Sequence, residues 1–176
     1  RRALNYAVDR AKIASLVGAD SHPTCQVLPP YVPGYRPYCP YTLDPTPDGV
    51  WRAPDLAEAR ALIAASGTSG AAITVWSQPA VYIADYSPVG RYLVSLLDSL
   101  GYRAKLKTIA ATDTSYNPLD SRQKVQAGLS VYYGVYLAAS EFLGPRWTSC
   151  QSFRRDSPAN LNVAEFCDPR FDATVR

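Results

Sequence analysis

Residues 72–109 decide the fold: Ala72-Ile73-Thr74-Val75-Trp76, then Pro88 to Leu100, then Tyr102 to Ile109. The first run is short, apolar and β-branched, and it reads as a buried strand. Pro88 to Leu100 sets Val89, Tyr92, Leu93, Leu96, Leu97 and Leu100 at helical spacing, and Gly101 supplies a stop. Tyr102 to Ile109 alternates Tyr102, Ala104, Leu106 and Thr108 against Arg103, Lys105 and Lys107, the pattern of a half-exposed strand. Strand, helix, strand at this spacing is a crossover unit. It predicts parallel pairing and an α/β architecture, a mainly parallel sheet flanked by helices.

Working outward, Pro54 to Ser66 reads as a second helix. Pro54 suits its first position, Asp55 and Glu58 favour its positive end, and Gly67 ends it. Leu56, Ala59, Leu62 and Ile63 form its apolar stripe. At the start, Ala3, Leu4, Ala7, Val8, Leu16 and Val17 keep helical spacing as far as Gly18, with no capping residue in front of Arg1. That predicts one helix already under way, and hence a piece of a larger protein. Residues 19–53 carry Pro23, Pro29, Pro30, Pro33, Pro37, Pro40, Pro45 and Pro47, a long irregular loop with Tyr31, Tyr35, Tyr38 and Tyr41 as packing material. Beyond the crossover, the spacing predicts a strand near Lys124 to Tyr133, a short helix and loop over Leu137 to Cys167, and a first helical turn from Phe171 to Arg176. The 176 residues fit a single α/β domain.

Four cysteines stand at Cys25, Cys39, Cys150 and Cys167, with no CxxC, and His22 is the only histidine. A zinc site would need closer cysteine pairs or further histidines. Three disulfide connectivities remain open, as does a set of four free thiols in a cytosolic protein. Local pairs, Cys25–Cys39 and Cys150–Cys167, are favoured because each brackets an irregular segment with little else to hold it. Each closure stabilises by about 3 kcal/mol in the chain-entropy view, and disulfides point to an exported protein.

Composition narrows the function. Net charge is +3 with basic residues scattered, which argues against a nucleic-acid surface. No apolar run reaches the length of a membrane span, about 18 residues. No GxSxG, HExxH, P-loop or GxGxxG motif appears, so neither catalysis nor a cofactor is expected. Binding is better supported. Val131-Tyr132-Tyr133-Gly134-Val135-Tyr136 closes a predicted strand, and ligands in α/β folds lie beyond the carboxyl ends of strands. Tyr132, Tyr133 and Tyr136 are therefore candidate ligand contacts. Trp76, which closes the first strand, and Tyr35 of the proline-rich loop join them.

Several of these segments, in order, resemble family 5 extracellular solute-binding proteins, the oligopeptide-, dipeptide- and nickel-binding components of ABC importers. Arg1 to Ile13, RRALNYAVDRAKI, is similar to the start of their second lobe. Cys25-Gln26-Val27-Leu28-Pro29-Pro30, with Pro33-Gly34-Tyr35 and Tyr38-Cys39-Pro40-Tyr41, resembles their P…P-G-Y…P-Y loop in a cysteine-bearing form. DLAEARALIAASG from Asp55, LLDSLGYRAKL from Leu96 and FCDPRFD from Phe166 complete the likeness. The resemblance implies lobe II of a type II periplasmic-binding-protein fold, closing by hinge motion over a small-molecule solute with a lobe I outside this chain. The protein would work outside the cytoplasm, tethered to the membrane and delivering to an ABC permease. One departure stands out. Val135 occupies the place of the family's W-x-x-D-Y aspartate, which pairs with a peptide's amino terminus. That implies an uncharged, sugar-like or atypical peptide ligand. The same departure leaves open a sensory module in which such a lobe is fused to a signalling protein.

Overall fold

In the computed structural model, residues 1–77, 86–110, 120–129, 134–144, 149–160, 162 and 164–174 are described. They divide into two compact units. Unit 1 is built from residues 1–26, 37–113 and 126–129, and unit 2 from 27–36, 114–125 and 130–176.

Unit 1 holds the crossover. Strand β1 (Ala72–Ser77) runs into α4 (Ser87–Ser99) and then β2 (Arg103–Thr108). β1 pairs in parallel with β2 from Ala72↔Arg103 to Ser77↔Thr108. A two-residue strand, β3 (Ala127–Gly128), flanks β1 on its other side, also parallel, giving the order β2-β1-β3. Of the predicted strand over 124–133, only these two residues form sheet among those described.

The helix α4 lies against β1 and β2, and Gly90 is what allows so close an approach. A Cβ there would stand 2.8 Å from both Cβ and Oγ of Ser77. The chain then turns through Gly101 (φ 90°), and Asp98 Oδ1 accepts from the Ala104 amide at 2.8 Å, which starts β2. Beyond α4, helices α1 (Arg2–Ala7), α2 (Arg10–Val17) and α3 (Leu56–Ser66) complete the unit. Ala3, Ala7, Ala59, Ile63, Leu96 and Leu100 make its apolar core, with Tyr92 and Tyr102 packed against it.

Two expectations need correction. The opening segment is two helices rather than one. Val8 is extended (φ −68°, ψ 120°), and Asp9 begins α2 by accepting the Lys12 amide on Oδ1 at 2.9 Å. Asp is a good N-cap, and its satisfaction of an orphan amide outweighs the unbroken apolar spacing. The same chemistry moves the start of α3. Asp55 Oδ1 accepts from the Glu58 amide at 2.9 Å, so the helix opens at Leu56 and Pro54 precedes it.

Residues 18–26 and 37–55 of unit 1 contain no helix or strand. Cys25–Cys39 closes on itself here, with Cα atoms 4.9 Å apart. Thr42, fully buried, clamps the far part of the segment. Its Oγ1 donates to the Ala53 carbonyl at 3.1 Å and accepts from the Arg52 amide at 2.8 Å. Gly49 (φ 64°) lies so close to the Pro37–Tyr38 backbone that no side chain fits. Of the four tyrosines expected to pack, Tyr41 meets Tyr6 edge-on at 5.1 Å and Tyr35 is half-buried, whereas Tyr31 and Tyr38 are exposed.

Unit 2 rests on different chemistry. Leu28, Val32 and Phe142 form a small apolar cluster with Tyr35 and with Ala139 of α5 (Ala139–Leu143). The Cys150–Cys167 disulfide, Cα atoms 4.4 Å apart, borders α6 (Pro169–Thr174). Inside it lies a polar network. Asp172 Oδ2 accepts from Ser149 Oγ and from the Cys150 amide, each at 3.1 Å. Asn162, fully buried, donates Nδ2 to the carbonyls of Ser149 and Phe166 and accepts the Phe166 amide on Oδ1 at 3.1 Å. No described cysteine is free, which removes the four-thiol alternative.

Candidate ligand-binding site

The carboxyl ends of three parallel strands meet in unit 1. Trp76 stands in the middle strand, with Lys107 of β2 as its neighbour on one side and Gly128 of β3 on the other. Neighbours in register project to one face of a sheet, so Trp76 and Lys107 meet. The Lys107 Nζ lies 3.5 Å from the centre of the indole ring, a cation–π contact. Gly128, the neighbour on the other side, contributes no side chain. The strand ends are tied by backbone bonds from the Ile109 amide to the Ser77 carbonyl (2.8 Å) and from the Leu129 amide to the Trp76 carbonyl (3.3 Å).

Trp76 is half-buried and Lys107 exposed, so the indole and the ammonium over its ring stand together at the carboxyl end of the strands. Ser77, next in the chain, is buried, and its Oγ has no hydrogen-bond partner among the described residues. Lys107 was invisible as a site residue in the sequence, where it reads as the polar half of an alternating strand. The parallel register alone brings it to Trp76. Along β2 the cations Arg103, Lys105 and Lys107 are all exposed, and no carboxylate pairs with Lys107 among the described residues.

The remaining candidates lie in unit 2 or outside the described residues. Tyr132 and Tyr133 belong to the latter. Tyr136 is 54% exposed, between Val135 at 87% and Leu137 at 65%, an uncovered apolar run. The run is fixed from behind: Glu141 Oε1 accepts the Val135 amide at 3.2 Å, and a Cβ on Gly134 would press within 2.7 Å of the Phe142 ring. Val135 therefore presents an exposed apolar side chain. Tyr35 is a member of the apolar cluster of unit 2, and its amide donates to the Val32 carbonyl at 3.1 Å. Among the described residues no group of three or more His, Cys, Asp or Glu is placed to hold a metal ion, and no helix is long and apolar enough to cross a membrane.

Comparison with known proteins bears on what this site serves. Residues 1–153 match the family described as bacterial extracellular solute-binding proteins, family 5 Middle. No curated protein matches the chain. Among solved structures, the clavulanic acid biosynthesis oligopeptide binding protein 2 is 21% identical with a TM-score of 0.73, over 98% of this chain and 31% of its own. A dipeptide binding protein from a Pseudoalteromonas species, solved with Met-Leu, is 18% identical with a TM-score of 0.73, over 99% of this chain and 32% of its own. The Escherichia coli murein tripeptide binding protein MppA is 20% identical with a TM-score of 0.72, over 97% and 31%. At such identities these likenesses show the fold, and this chain spans less than a third of each neighbour. Their names speak of peptides, and the sugar-like solute expected from Val135 finds no support in them. The match over residues 1–153, with its parallel sheet, flanking helices and two disulfides, means that this chain belongs to family 5 of the bacterial extracellular solute-binding proteins.

Proposed function

We propose that this chain is the second lobe of a peptide-capturing solute-binding protein that serves an ABC importer. The family match over residues 1–153 is the observation that carries this reading. The role is capture rather than chemistry: the lobe closes with a first lobe around the peptide, and the pair presents it to a membrane permease. The working place is outside the cytoplasm, with the intact protein held at the membrane. Trp76 supplies a flat apolar surface at the carboxyl ends of the strands, where α/β folds take ligands.

The peptide is held without the usual anchor for its amino terminus. Val135 offers no carboxylate, and an ammonium withdrawn from water without a counter-charge is costly. Recognition then falls on the peptide backbone, its side chains and its carboxylate. Titration calorimetry on the intact protein, with matched peptides bearing a free or an acetylated amino terminus, tests this. Affinities within about threefold of each other are expected. A preference of about a hundredfold for the free amine would contradict the missing anchor, and no binding by any peptide would contradict capture itself.

A further inference from the structure

A second site emerges on the other side of the sequence, along α2. Arg10, Ile13, Ala14 and Val17 fall at i, i+3, i+4 and i+7, the stripe that a helix normally buries. Here that stripe faces a cavity of about 310 Å³, whose lining is completed by residues 21–24, His22 among them. This lies at the small end of ligand sites, which run from roughly 300 to 1,000 Å³.

The guanidinium of Arg10 is the unusual group. Its Nη1 donates to the Thr24 carbonyl at 2.8 Å, while its Nε is buried with no acceptor among the described residues. The neighbouring carboxylate, Asp9, is turned to the α2 cap and accepts from the Lys12 amide. No described carboxylate pairs with Arg10. Burial pushes its pKa down, as expected for a cation withdrawn from water with no anion beside it. Holding residues 21–24 against α2 would account for the bond to Thr24. It does not account for a half-buried guanidinium without a counter-charge above an apolar stripe, since buried charges are ordinarily paired. A carboxylate is the fitting complement, because guanidinium edges match it geometrically.

We infer that the α2 cavity of unit 1 is a binding site for a small apolar acid, its carboxylate met by Arg10 and its hydrocarbon part lying on Ile13, Ala14 and Val17. This inference is independent of peptide capture at the strand ends.

His22 lines the cavity and is the chain's only histidine, so its ring signals report on the site directly. The probes are octanoate and octylammonium, equal in length and opposite in charge. They are titrated into the intact protein while the His22 ring is followed by proton–carbon NMR, with His22→Gln for assignment. A saturable shift with octanoate is expected, about tenfold weaker or absent with octylammonium. Arg10→Gln should abolish the octanoate response and leave the Trp76 indole signal in place. A linear response to octanoate, or equal responses to the two probes, would overturn the site. If Arg10→Gln fails to fold, the charge contrast on the unaltered protein decides the matter alone.

Discussion

The two units reach stability by different means. Unit 1 is held by a parallel sheet and an apolar core that joins α1, α3 and α4 through Ala3, Ala59, Ile63 and Leu96. Unit 2 has three buried apolar side chains in its cluster, a disulfide, and a buried polar network of Ser149, Asn162 and Asp172. The contrast teaches where direction comes from. Burial of apolar area tolerates volume-conserving changes, whereas a buried polar network depends on the direction of each bond, and here Asp172 Oδ1 has no hydrogen-bond partner among the described residues. Unit 1 should therefore fail by cavity formation, and unit 2 by the loss of single hydrogen bonds.

The largest expected effect is in unit 1. Ile63→Ala opens a cavity in the centre of its core and should cost about 3 kcal/mol, read by chemical denaturation with hydrogen exchange localising the loss to α1, α3 and α4. Unit 2 answers with a polar substitution. Asn162→Ala takes the Asn162 bonds from the Phe166 amide and carbonyl, while the Ser149 carbonyl keeps Ser152 as donor, and should cost about 2 kcal/mol. A loss below about 0.5 kcal/mol, typical of a surface site, would erase the contrast between the units. Third, Gly90→Ala presses a methyl onto Ser77 and should cost about 1.5 kcal/mol by overpacking, with faster exchange in β1 and α4.

The smallest effect is a pH dependence at the join of α1 and α2. The Asp9 amide donates to Tyr92 Oη at 2.8 Å, and burial raises the Tyr92 pKa above its ordinary value of 10.0. The neutral phenol is thus favoured in the folded state. Its contribution is whole below pH 10 and is lost as pH rises through the raised folded value. Thermal melts between neutral and strongly alkaline pH should show that decline, and Tyr92→Phe should flatten it. An unchanged alkaline slope in the variant would assign the decline to other groups.

Much of unit 1 was legible because its determinants are periodic. The spacing of Val89, Tyr92, Leu96 and Leu100 predicts α4, and the alternation through Leu106 predicts β2. The break at Val8 was missed for a local reason. One carboxylate, Asp9, competes with continuous apolar spacing, and only its bond to the Lys12 amide reveals which prevails. The Cys25–Cys39 and Cys150–Cys167 pairs were accessible because each closes a short irregular loop. The unit 2 network was not. Ser149 and Asp172 are 23 residues apart and bear no period, so nothing in the sequence joins them before the chain folds. The site divides likewise. Trp76 follows from strand-end logic, but its partnership with Lys107 depends on a register between strands separated by a helix.

The proposed function has ligand taken at the carboxyl ends of β1 and β2. Residue-resolved hydrogen exchange on the intact protein, with and without a saturating peptide, tests it most directly. The amides of Ile109 and Leu129, which close the strand ends against Ser77 and Trp76, should exchange about tenfold more slowly with peptide bound. The Arg103 amide, at the amino end of the same sheet, should change little by comparison. Protection at Arg103 with none at Ile109 and Leu129 would contradict the account.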